Sequence, residues 1–142
     1  MKSENNDLKD RACKFALSSL SHSDSSKKAL YKKLILRGFD SEAANAALDY
    51  VISFGYINEK EQIKRIAVDM CTRHNVGKRK IYLRLLSKGY TDSDIKSVLS
   101  ELMENGSLDF DLARERLLSK YPDDISGEEK HKILYKNGFT NV

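Results

Sequence analysis

In the stretch from Gly77 to Tyr90, GKRKIYLRLLSKGY, apolar side chains fall at Ile81, Tyr82, Leu85 and Leu86. At about 100° per residue these positions share one face, so the spacing predicts an amphipathic helix. Lys80, Arg84 and Lys88 recur at i, i+4 and i+8 on another row. At about 1.5 Å per residue that row is roughly 12 Å long, enough to meet more than one phosphate or an acidic strip on a partner. Gly89 stands where a left-handed residue would close the helix. Taken alone, a basic helix of this kind is as often a solvated face as a binding one. Its recurrence along the chain changes that balance.

Residues 1–7 are polar and predict a frayed tail. Leu8, Ala12, Phe15, Ala16 and Leu20 predict a first helix, and the serine-rich run from Ser18 to Ser26 reads as a linker, with Ser26 placed to cap the next helix. From there the sequence repeats. Ala29–Asn58 and Lys80–Asp109 align without a gap at a displacement of 51 positions. Leu30 pairs with Ile81, Tyr31 with Tyr82, Leu34 with Leu85, Arg37 with Lys88, Gly38 with Gly89 and Phe39 with Tyr90. Ala44, Ala47, Leu48 and Val51 pair with Ile95, Val98, Leu99 and Leu102, and Gly55 pairs with Gly106.

Each copy predicts one unit. A basic helix ends at glycine, an aromatic docks, and a polar segment (Asp40-Ser41-Glu42 or Thr91-Asp92-Ser93-Asp94) starts a second helix that ends at the second glycine. A third helix follows, with Ile63, Ile66, Ala67, Met70 and Cys71 in the first copy and Ala113, Leu117 and Tyr121 in the second. Lys132–Asn141 begins a third copy that stops at Val142. The expected fold is therefore all-α, an elongated array of tandem three-helix repeats stacked end to end, with the third truncated. Its divisions are expected at 1–24 (tail, helix and linker), 25–75, 76–122 and 123–142.

Composition agrees with a soluble helical protein: 40% apolar, 32% charged, one proline and no tryptophan in 142 residues. The net charge of +4 is mild but uneven, with +6 over residues 61–90 and −4 over residues 91–142. A basic middle beside an acidic end suits a polar partner surface better than uniform coating by nucleic acid. No run approaches the ~18 apolar residues of a membrane span, and the first residues do not form a secretory signal. The expectation is a cytoplasmic monomer with Cys13 and Cys71 as buried free thiols.

Little in the sequence points to catalysis. His22, His74 and His131 lie in different modules, and Cys71 with His74 supplies two of the four ligands that a structural zinc needs. No phosphate-binding glycine loop, nucleophile elbow or zincin motif occurs. Asp92/Asp94 and Asp123/Asp124 are explained as caps and loop residues. No metal, cofactor or enzymatic activity is expected.

The repeat resembles the RecX family of bacterial regulators of the RecA recombinase. The residues carrying the resemblance are Ser26-Lys27-Lys28-Ala29-Leu30, Lys33-Leu34, Arg37-Gly38-Phe39 and Gly55-Tyr56-Ile57-Asn58-Glu59 in the first copy. Gly77, Arg79, Ile81, Leu85 and Lys88-Gly89-Tyr90 carry it in the second, and Asn137-Gly138-Phe139 near the end. The chain departs from the family pattern at Ala29, where a glutamate would complete a capping box with Ser26, and at Asn58-Glu59, where paired aspartates are usual. The resemblance implies a curved helical protein lying in the groove of the RecA–single-stranded DNA filament. There it would lower ATPase and strand-exchange activity, in the setting of DNA recombination, repair and the SOS response.

The residues expected to meet that filament are Lys80, Arg84 and Lys88, their counterparts Lys33 and Arg37, the cluster Arg73, Lys78 and Arg79, and Lys28. Contacts with single-stranded DNA are expected to be weak and phosphate-mediated. Two other readings use the same faces: a helix-turn-helix-like binder of duplex DNA, and a helical-repeat scaffold for another acidic partner.

Overall fold

A computed structural model describes residues 2–139, with side chains from residue 4. The described residues form eight α-helices and no strand. They are α1 (Lys2–His22), α2 (Lys27–Leu36), α3 (Ser41–Ser53), α4 (Glu59–His74), α5 (Lys78–Ser87), α6 (Asp92–Glu104), α7 (Phe110–Leu118) and α8 (Gly127–Lys136). The protein is all-α, as the periodicity predicts. The starts of α2, α3 and α4 recur 51 positions later in α5, α6 and α7, which is consistent with the tandem repeat. The residues expected to begin a third copy form α8 and the glycine turn after it; the expected cap at Thr140 and Asn141 lies outside the described residues.

The chain divides into two compact units, Met1–Gln62 with Lys88–Tyr90 and Ile63–Ser87 with Thr91–Val142. In the first, α1 packs most extensively on α3. Ala12 and Ala16 on α1, and Ala44 and Ala47 on α3, are wholly buried. Small side chains on both surfaces let the two helices approach closely. Leu30, Leu34, Val51 and Ile57 complete this core, with Phe15, Leu20, Phe39 and Leu48 packed around it. In the second unit Ile81 and Leu85 of α5 and Ile95, Val98 and Leu99 of α6 are buried. Truncating any one of these leucines or isoleucines to alanine costs about 2–5 kcal/mol by general experience with core cavities.

Three local expectations need correction. Residues 2–7 belong to α1 rather than to a frayed tail. The serine-rich run is helical as far as His22, and coil spans only residues 23–26. There Leu17 and Leu20 pack against the first core and Ser21 Oγ donates to the Ser18 carbonyl at 2.6 Å. Tertiary burial and local satisfaction of the hydroxyl thus override serine's weak preference against helix. Tyr121 lies beyond the end of α7 and is 39% exposed, so only Ala113 and Leu117 of that expected stripe are buried.

The helix ends show how the turn signals work. Ser26, Asp40, Thr91, Asp109 and Ser126 each accept a backbone N–H three residues on, from Ala29, Ala43, Asp94, Leu112 and Glu129. At the other end Phe39 N–H reaches the Leu34 carbonyl at 3.2 Å and Phe139 N–H the Leu134 carbonyl at 2.9 Å. These are the six-to-one bonds of a glycine-terminated helix. Gly89 has φ +96°, the left-handed closure its position predicts.

One joint is built twice from these ends. In the first unit Ser26 Oγ donates to the Lys88 carbonyl at 2.7 Å, beside Gly89. In the second unit Gly77 N–H donates to the Asn137 carbonyl at 2.7 Å, and Arg79 N–H to the Gly138 carbonyl at 3.2 Å. A donor at the opening of a first helix, a side-chain hydroxyl in one case and free N–H groups in the other, thus satisfies the carbonyls closing the next one. The approach leaves no room for side chains. A Cβ at Gly138 would lie 2.5 Å from Lys80 Cβ, and one at Gly77 would lie 2.4 Å from the Gly138 carbonyl oxygen. Gly138→Ala is therefore expected to lower stability by about 1–3 kcal/mol, from a left-handed alanine and a clash together. Gly106→Ala, at φ +82° but in open space, is expected to cost only about 1 kcal/mol. Urea midpoints of the two variants check the difference.

Candidate nucleic-acid and partner interface

In the second unit α5 buries Ile81 and Leu85 and leaves Lys78, Lys80 and Arg84 exposed. The apolar face is narrower than its spacing predicts: Tyr82 is half-buried and Leu86 is 38% exposed. Tyr82 hydroxyl donates to the Asp92 carboxylate at the start of α6. That bond, together with Lys96 at 3.3 Å, holds the Asp92 pKa below the ordinary carboxylate value, and the bond to Asp92 raises that of the Tyr82 phenol.

Arg79 behaves differently from its neighbours. Its guanidinium lies over the Tyr135 ring, 4.4 Å from the centroid, and donates to the Tyr135 carbonyl. The side chain clasps α8 to the start of α5. Arg73 closes α4, where a cation complements the helix dipole, and its Nε sits 3.1 Å from Asp69. An exposed pair at i, i+4 contributes only about 0.3–0.5 kcal/mol, so a phosphate or carboxylate can displace it. Arg73 also shares one face of α4 with Lys64, Arg65, Val68, Asp69 and Thr72. Lys64, which pairs with Glu101 at 3.2 Å, and Arg65 belong to the basic middle of the sequence but not to the expected site; their signal is the shared α4 face.

In the first unit Lys28, Lys33, Arg37 and Lys88 are exposed. Lys33 Nζ donates to Ser25 Oγ at 2.9 Å, and Arg37 lies over the Phe15 ring, 5.2 Å from its centroid. Lys88 follows the end of α5 and groups with this unit, its carbonyl held by Ser26. Of the expected row of Lys80, Arg84 and Lys88, the first two belong to α5 and Lys88 is the residue that follows it.

The thiols are not activated. Burial raises the pKa of both Cys13 and Cys71, and Cys71 Sγ points to the Asp109 carbonyl at 3.9 Å. Cys13 is only half-buried, less than expected. Among the described residues no group of three or more His, Cys, Asp or Glu is placed to hold a metal. No helix among them is long and apolar enough to cross a membrane.

These features define an all-helical protein with basic helix faces. Comparisons with known proteins give the family. No family model matches the chain. It is 30% identical over 121 residues to the regulatory protein RecX of Clostridioides difficile (strain 630), covering 85% of this chain and 55% of that protein. It is 28% identical over 112 residues to the regulatory protein RecX of Caldanaerobacter subterraneus subsp. tengcongensis, covering 79% and 56%. The crystal structure of RecX from Lactobacillus salivarius superposes with a TM-score of 0.79 at 22% identity, over 96% of this chain and 91% of that one. A second crystal structure of regulatory protein RecX superposes with a TM-score of 0.80 at 18% identity, over 96% and 70%. At those identities the structures establish the fold. The chain belongs to the RecX family, and it spans about half the length of the curated relatives it matches.

The Tyr82–Asp92 bond gives a pH test. Its carboxylate has a lowered folded pKa, so its contribution is complete above the ordinary value of 3.8 and lost as pH falls through the lowered one. Its phenol has a raised pKa, so its contribution is complete below 10.0 and lost as pH rises through the raised value. Tyr82→Phe is expected to move the Asp92 titration upward toward 3.8, read by carboxyl NMR.

Proposed function

We propose that the chain is a non-enzymatic regulator that binds the RecA–single-stranded DNA filament and mostly inhibits its ATPase and strand exchange, acting as a cytoplasmic monomer. The observation that carries this reading is the recurrence of exposed cations. Lys33 and Arg84 occupy the same position of successive repeats, as do Arg37 and Lys88, in a chain whose relatives are RecX regulatory proteins. Lys28, Arg73, Lys78 and Lys80 extend these surfaces. Cations without base-reading side chains beside them suit phosphate backbones and acidic protein strips. Arg79 contributes to that surface only through its aliphatic stem, since its guanidinium is engaged with Tyr135.

Arg84→Glu with Lys88→Glu is expected to relieve inhibition of RecA ATPase on single-stranded DNA while helicity by circular dichroism is unchanged. Arg79→Glu is expected to lower the unfolding midpoint as well, by loss of the Tyr135 clasp. Unchanged inhibition by the double variant would remove these residues from the interface. Binding to single-stranded DNA alone is expected to weaken with salt at roughly −0.7 per phosphate contact on a log–log plot, with little sequence preference.

A further inference from the structure

The second unit contains a cleft of about 300 Å³ lined by Lys78, Met103, Phe110, Asp111, Arg114 and Phe139. The repeat explains why it is open. In the first copy the position of Lys78 is Lys27, whose Nζ pairs with Glu59 at 3.3 Å. Phe139 belongs to the third copy, and its counterpart in the second is Tyr90, whose hydroxyl donates to the buried Gln62 at 2.5 Å. In the second copy Glu59 becomes Phe110, Gln62 becomes Ala113 and Ile63 becomes Arg114. The substitutions remove the carboxylate, shorten the side chain beneath the aromatic and add a cation. Among the described residues neither Lys78 nor Arg114 has an ion-pair partner, and Arg114 Nε is buried without a hydrogen bond. A buried guanidinium nitrogen left so is rare enough to demand a partner.

We propose that this cleft docks an acidic side chain of a partner protein, a glutamate or aspartate flanked by an apolar residue. The carboxylate would lie between Lys78 and Arg114, as Glu59 lies against Lys27, and the apolar neighbour against Met103 and Phe110. The internal precedent is a carboxylate rather than a phosphate. Asp111 on the rim also repels a run of phosphates more than it does one carboxylate with its apolar neighbour. The proposal rests on the reading above, in which the partner is the RecA filament, and names the chemistry of one contact with it.

The test uses the full chain and RecA filaments assembled on poly(dT). Carbodiimide, which joins an amine to a carboxylate in contact, is expected to cross-link Lys78 to RecA. Arg114→Glu is expected to weaken filament binding by about tenfold or more, with affinity for poly(dT) alone unchanged. Arg114→Lys, which keeps the charge, controls for folding and is expected to lose much less. Wild-type chain that ignores the filament overturns the functional reading and the proposal with it. Normal wild-type binding with an equally tight Arg114→Glu variant overturns the docking site alone. An equal loss on poly(dT) would reassign the cleft to phosphate and overturn the carboxylate.

Discussion

The contact on which the structure depends is the close approach between the opening of a first helix and the glycine turn that closes its counterpart in the next repeat. Carbonyls left unpaired at a helix end are satisfied there, by the Ser26 hydroxyl at Lys88 in one unit and by the backbone N–H groups of Gly77 and Arg79 at Asn137 and Gly138 in the other. The glycines serve two constraints at once: a left-handed φ to end the helix, and an absent side chain to admit the neighbouring backbone. This is why the aromatic after each glycine is well buried at Tyr90 and Phe139, where the turn meets another helix. Phe39, whose glycine faces open space, is only half-buried.

That joint also decides which cations are free to act. Arg79 sits at the approach and is drawn onto Tyr135, while Lys80 and Arg84 continue along α5 into solvent. Lys88 is fixed through its backbone, leaving its side chain exposed. A basic residue count is thus a poor guide to a basic surface. Arg37, just before Gly38, lies over Phe15 and Lys33 bonds Ser25, so structural engagement of cations is not confined to Arg79.

Most of the fold was legible in the sequence because the repeat supplied two readings of each element. Gly38 and Gly89, Asp40 and Thr91, and Asn58 and Asp109 mark corresponding boundaries, and the helices begin where those pairs say they should. What remained illegible depended on contacts made at a distance. The helical state of Ser18–His22 follows from the burial of Leu17 and Leu20 against a core that local propensity does not register. The candidate surface was legible only in part. Lys33, Arg37 and Arg84 read correctly as exposed cations, but the stacking of Arg79 on Tyr135 spans 56 positions and leaves no periodic trace. Arg114 did leave one: it stands at a position that the first copy fills with the core residue Ile63.

The chain's membership of the RecX family and its repeated basic faces lead to one central claim, that the preferred partner is the RecA–DNA filament rather than DNA alone. Cosedimentation measures this directly, with RecA filaments on single-stranded DNA, the same DNA without RecA, and duplex DNA run in parallel. The account predicts that the chain pellets with the filament at salt concentrations where it leaves bare DNA. Retention on duplex DNA in a sequence-selective manner, with no added retention when RecA is present, would contradict it.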